Sequence, residues 1–241
     1  MQGAREAFIA FAVATALVAV AGLVARGVPL IAANLGAVVA VVFLVVPYVI
    51  VGRRNEDLYD YGFHAKPLGQ GLGLGLGGPL IILPIFAVVY VFYYDAACAK
   101  DAPSWLATLP PPGQCVRWDG WAGAHLPAAR WDMLEEFATQ IIVVALPEEL
   151  FFRGYVHKLL ERTFPAKRKL WGGGIGVALV LSSALFAAGH LAVNFDPRRL
   201  AVFFPGLLFG WMRSKTDSIF AGVLAHALSN VFIFNLDRIF F

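Results

Sequence analysis

AFIAFAVATALVAVAGLVA, residues 7–25, is a run of 19 residues without a charge. About 20 apolar residues in a helix cross the hydrocarbon core of a bilayer. Arg5 gives the run a weak basic start. A cleaved signal peptide has a shorter apolar region and a small-residue cleavage site. The run therefore reads as a retained membrane helix. The composition says the same of the rest. The chain has 241 residues, 59% hydrophobic and 15% charged, with a mean hydropathy of +0.71. A soluble domain carries about 25% charged residues, and one of this size has too little interior to hide the excess. The net charge of +3 does not point to nucleic acid, because inside-facing loops of membrane proteins are rich in Lys and Arg.

Further uncharged runs follow at Gly27–Gly52 and Pro67–Tyr94. A proline-rich polar loop, Asp95–Arg130, precedes a fourth segment, which carries ALPEELFFRGY (145–155) and ends at a basic turn, Lys158 to Lys169. The fifth run is Leu170–Phe195. The sixth, Leu200–Met212, is short enough to be tilted or re-entrant, and the seventh is Ser218–Leu236. Backbone groups in hydrocarbon need internal partners, so these segments are expected to be helices, with no strands. The fold class is all-α: a polytopic membrane bundle of about seven transmembrane helices. One membrane domain, 1–241, is expected, with N-terminal helices and an outside loop over 1–130 and catalytic helices over 131–241. With the N-terminus inside, Lys and Arg are more frequent in the inside loops than in the outside ones. That orientation puts Cys98 and Cys115 outside. They read as a disulfide or as two free thiols, and an oxidising outside favours pairing.

GLGLGLGG (71–78) contains GxGxxG at Gly73, Gly75 and Gly78. No strand precedes it and no Gly-Lys-Ser/Thr follows, so phosphate binding is not the reading. Small residues four apart, such as Gly73 and Gly77, let membrane helices approach closely.

Ionisable residues inside membrane helices are costly and mark sites. The candidates are Glu148, Glu149, Arg153, His190, His226 and Asn230. Glu149 and Arg153 are i, i+4 and can pair. Alone they read as a structural ion pair. Glu148 lies about 100° around the helix and faces elsewhere. Pro147 cannot donate a backbone hydrogen bond and is expected to kink the helix. His226 and Asn230 share one face of their segment, as do Phe186 and His190. A lone intramembrane histidine is as readily a packing residue as a functional one. Glu148, His190, His226 and Asn230 together are harder to assign to packing. A desolvated carboxylate can act as general base on water. Histidines can orient that water or protonate a leaving amine, and an Asn amide can donate to an oxyanion. His64, His125 and His157 lie in loops or at an edge and receive no role. Asn194 and Asp196 read as a turn before Pro197, and Phe203, Phe204, Phe209 and Trp211 as lipid-facing or interfacial bulk. For His190 to reach the depth of Glu148, the fourth helix has to be long, about Trp131–Arg162.

EELFFR (148–153), FAAGH (186–190) and HALSN (226–230) resemble, in order, the three motifs of the CPBP family. That family groups type II CAAX prenyl endopeptidases with bacteriocin-processing and self-immunity (Abi) proteins. The likeness covers roughly residues 140–235; the first three segments match only in being hydrophobic. It implies a glutamic-type intramembrane protease with Glu148 as base, Glu149 and Arg153 in support, His190 and His226 as its histidines, and Asn230 as its asparagine. It implies no cofactor. The partners implied are the bilayer and a membrane-associated protein or peptide substrate with a lipidated tail or hydrophobic C-terminal anchor. The location implied is a multi-pass protein of a bacterial inner membrane with a cytoplasmic N-terminus. The flanks also resemble the myxosortase-like subgroup, which processes C-terminal sorting anchors. A zinc site built from Glu and His remains an alternative, although HExxH is absent. A third reading is a non-catalytic transporter or immunity scaffold, against which stands the lack of an internal repeat.

Overall fold

The computed structural model describes residues 2–125, 132–194 and 196–241. Seven major helices run through the described residues. They are α1 (Gln2–Ala25), α2 (Leu35–Arg53), α3 (Leu68–Ala97), α4 (residues 132–163), α5 (Val177–Asn194), α6 (Phe203–Thr216) and α7 (Phe220–Phe240). α1, α2, α3 and α7 are long and apolar enough to cross a membrane; within α5, Val177–Ala192 is a shorter apolar helix. The second run is broken at Asn34, which separates a short helix, Pro29–Ala33, from α2. The expected helix starts at Trp131, the loop's end at Arg130 and the fifth run's end at Phe195 lie outside the described residues.

α4 is the centre of the bundle. Every residue from Leu150 to His157 is buried, the condition of a helix surrounded on all sides. Ala7, Ala10, Ala14 and Val18 line the buried face of α1. Small side chains there bring its backbone near α4 and α2. Phe43 of α2 stacks on Phe151 with ring centroids 4.9 Å apart, and Phe152 meets both edge-on. The outer surfaces are apolar. On α3, Leu80 is 75% and Phe92 70% exposed, a surface suited to lipid and unsuited to water.

At Pro147, where a kink is expected, the helical type changes on either side. Gln140–Ala145 and Leu150–His157 are π-helical, and Leu146–Glu149 between them is α-helical. π segments relieve a lost i→i−4 bond and recur at functional sites. α4 thus runs continuously through the proline, at the length that brings Glu148 level with His190.

Three expectations are corrected. An antiparallel hairpin, β1 (Arg168–Leu170) and β2 (Gly173–Ile175), stands where the basic turn was to lead straight into the fifth helix. Its two-residue loop needs positive φ at both positions; Trp171 has φ 48° and Gly172 φ 91°. The glycines of residues 172–174 therefore delay α5 to Val177. On α3, Gly73 and Gly77 face open space. Gly71, Gly75 and Gly78 make the close approach instead: a Cβ on Gly75 would lie 2.9 Å from Leu224 Cβ of α7. Phe209 is 2% exposed, not lipid-facing.

At one end of the bundle, Cys98 and Cys115 form a disulfide. Trp118 stacks on Tyr94 and donates to Asp95 Oδ1 at 2.9 Å. Phe240 and Phe241 pack on the same indole.

Candidate active site

Glu149 is wholly buried, and α4 supplies its counter-charge one turn on. Arg153 Nη1 lies 3.3 Å from Glu149 Oε1, and Arg153 is 1% exposed. The guanidinium carbon sits 4.0 Å from the Phe186 ring centroid on α5, a cation–π contact that strengthens in a dry setting. α6 lies close to this pair at Gly206: a Cβ there would lie 3.1 Å from Arg153 Nη2, a tight contact.

α7 brings His226 against the two carboxylates. Its Nδ1 donates to Glu149 Oε1 at 3.0 Å. The partnered nitrogen fixes the tautomer, here assigned from the hydrogen-bond network, and turns Nε2 toward Glu148 Oε2, 3.8 Å away. Glu148 and Glu149 therefore meet opposite nitrogens of one imidazole. Glu148 thus points to the two histidines and not to Arg153, and the imidazole of His226 lies between the two carboxylates. Phe209 of α6 stacks on that ring, 5.2 Å between centroids at 17°. Gly222, one turn before His226, lets α7 approach; its Cβ would lie 2.9 Å from Glu149 Oε2.

His190 enters from α5. Its Nδ1 donates to the Phe186 carbonyl at 3.0 Å, which aims Nε2 at Glu148 Oε2, 3.9 Å away. Phe186 thus holds His190 by its backbone and Arg153 by its ring. Glu148 Oε2 itself is buried and has no hydrogen-bond partner among the described residues. Separations of 3.8 and 3.9 Å are too long for direct hydrogen bonds. A small polar molecule that bridges the carboxylate and the two imidazoles has to sit beside the line joining them.

Five of the six predicted residues meet here: Glu148, Glu149, Arg153, His190 and His226. Asn230 sits one turn beyond His226, where its Nδ2 donates to Gln140 Oε1 at 2.9 Å. The second N–H of that amide is left for another acceptor. Gln140, Phe209 and Gly222 are the residues the sequence reading missed. A polar side chain two turns before Glu148 in an apolar run was a signal for Gln140; nothing in sequence marked the other two. His157, read as an edge residue, is 1% exposed, with Nε2 3.5 Å from Glu161 Oε1. Among the described residues, no three His, Cys, Asp or Glu side chains are grouped to hold a metal ion.

Residues 130–232 match the family model of the Rce1-like proteins, type II CAAX prenyl endopeptidases. The matched region contains all six candidate residues and spans the described part of α4 through most of α7. Four helices are long and apolar enough to cross a membrane, so the chain is an integral membrane protein whose matched region is similar to CAAX-type proteases. Comparison with curated proteins and with solved structures gave no match.

Proposed function

We propose that the protein is an intramembrane endopeptidase of the glutamic type. Its substrate is a membrane-associated protein, cut near a lipidated or hydrophobic C-terminal segment. The observation that carries this reading is Glu148 Oε2, buried and unpartnered, facing the Nε2 atoms of histidines from two other helices. In the reaction, Glu148 takes a proton from a water held between itself and the imidazoles. The water oxygen bonds to the peptide carbonyl carbon. The charge on the carbonyl oxygen is met by N–H donors, for which the second Asn230 N–H is the candidate. As the C–N bond breaks, the proton passes from Glu148 to the leaving amine. Glu149 holds His226 in one tautomer, and Arg153 balances the charge of Glu149.

The substrate segment reaches the site from the lipid side, because the helices around it are apolar. The disulfide supports placing the loop after α3 in an oxidising compartment. In this reading the N-terminus lies on the cytoplasmic side of a bacterial inner membrane, which the distribution of Lys and Arg also supports.

A cleavage assay in liposomes tests the proposal, using prenylated CAAX peptides and C-terminal sorting-anchor peptides as alternative substrates. Glu148→Gln is expected to lower kcat by about 10²- to 10⁴-fold, the range of a general base. His226→Ala is expected to abolish turnover. Cleavage that persists in both variants refutes the assignment. Chelation separates this mechanism from zinc hydrolysis: activity is expected to survive it, and loss restored by added zinc favours the metal.

A further inference from the structure

The hairpin of residues 168–175 contains none of the candidate site residues. Its inner side is fixed to α6. Trp211 Nε1 donates to the Leu170 carbonyl at 2.8 Å, and Gly174 N–H donates to Ser214 Oγ at 2.9 Å. A Cβ on Gly173 would lie 2.4 Å from Trp211 Nε1, so the strand lies flat on that indole. The hairpin is a rigid projection, not a loose connection.

Its outer side is built differently. Trp171 occupies the loop in the left-handed region, at φ 48°, where a bulky residue is an outlier. It is 79% exposed, and its ring contact is the edge of Trp211 at 6.5 Å. Leu170 beside it is exposed as well. Exposed apolar residues continue from this tip through Ile175 to Val177 and Val180 of α5, so the hairpin extends an exposed apolar surface of the bundle. Lys167, Arg168 and Lys169 are all exposed. No Asp or Glu lies between Glu161 and Asp196, so the sequence gives this segment no acidic residue of its own to offset them.

We propose that this hairpin is an interfacial anchor that binds anionic lipid headgroups. Lys167, Arg168 and Lys169 meet the headgroup charge, and Trp171 and Leu170 enter the boundary below it. Tryptophan is favoured at that depth because its ring has an apolar body and a polar edge. Basic clusters beside membrane helices are drawn to anionic leaflets, and salt weakens the attraction. Charge selects lipid composition, while the fixed indole sets the height of α5 and α6, which carry His190 and Phe209.

The test uses the full chain in vesicles and needs no enzymatic activity. Trp171→Cys is labelled with an environment-sensitive fluorophore while Cys98 and Cys115 stay oxidised; Leu170→Cys is the second position if the first variant misfolds. Phosphatidylcholine vesicles are compared with and without phosphatidylglycerol. With phosphatidylglycerol, the probe is expected to be quenched by lipid-borne nitroxide and shielded several-fold from aqueous iodide. High salt, or replacing Lys167, Arg168 and Lys169 by alanine, is expected to reverse the shielding. Equal iodide access in both vesicle types overturns the proposal, as does shielding unchanged by salt and by the alanine variant. Shielding that arises only on adding an acidic peptide also overturns it.

Discussion

His226 and Glu149 form the contact on which the candidate site turns. A carboxylate with no exposed surface is tolerable only when paired and hydrogen-bonded; Arg153 supplies the counter-charge and His226 Nδ1 the hydrogen bond. Removing one partner of a buried pair costs about 3–5 kcal/mol, because the other charge is left uncompensated. Glu149→Gln is therefore expected to lower stability by about 3 kcal/mol, measured by thermal unfolding in detergent. An unchanged transition would mean that Arg153 finds another counter-charge. Glu56 makes a different case, since it lies in the aqueous connection after α2. The Tyr61 hydroxyl donates to it, and that bond, reinforced by Arg162, holds its carboxyl below the ordinary carboxylate value. A lowered folded-state value means stability that is complete above the ordinary pKa and lost as pH falls through the lowered one. The stability difference between wild type and Glu56→Gln should thus be level near neutrality and shrink on acidification, as unfolding curves across acidic pH will record.

At the scale of elements, α4 was only partly legible. Its charges stood out because each is expensive in an apolar helix, so Glu148, Glu149 and Arg153 were readable as a group. The π segments on either side of Pro147 were not. Hydrogen-bond type depends on tertiary packing, not on local propensity. The hairpin was hidden for a related reason: three residues per strand is too short for alternation to emerge. The glycines of α6 and α7 carried no signal either, since their importance lies in what another helix places against them. Gly222→Ala tests this. Its methyl group would lie 2.9 Å from Glu149 Oε2, so the carboxylate or α7 has to move. Turnover is expected to fall at least tenfold with substrate KM little changed, read by steady-state kinetics. A fully active variant would show that the helices have slack at this point.

For the whole molecule, the hydrophobic runs fixed a membrane bundle before any contact was known. What they did not reveal was which helices enclose which. α4 carries the most charge among the segments of the bundle interior, yet it is the most enclosed of the helices over residues 150–157. Hydropathy ranks segments by affinity for oil, and enclosure here follows the need to surround charge. The disulfide works at the far end of the chain's architecture. It closes a loop of 17 residues, for which chain entropy predicts about 3 kcal/mol. Cys98→Ser paired with Cys115→Ser should lower the thermal midpoint by several degrees while leaving cleavage intact, because this cap lies apart from the histidines. Loss of activity with no loss of stability would instead tie the cap to substrate entry.

The two adjacent glutamates have a consequence for how this protein can change over time. One faces the imidazoles of His190 and His226 and the other a buried arginine, and what separates them is a single step along the chain. Substituting a neighbour leaves that assignment alone. Gaining or losing one residue between Leu146 and Arg153 would turn the helix by roughly 100°, leaving His226 facing the wrong side chain. Length, more than identity, is what this stretch must conserve.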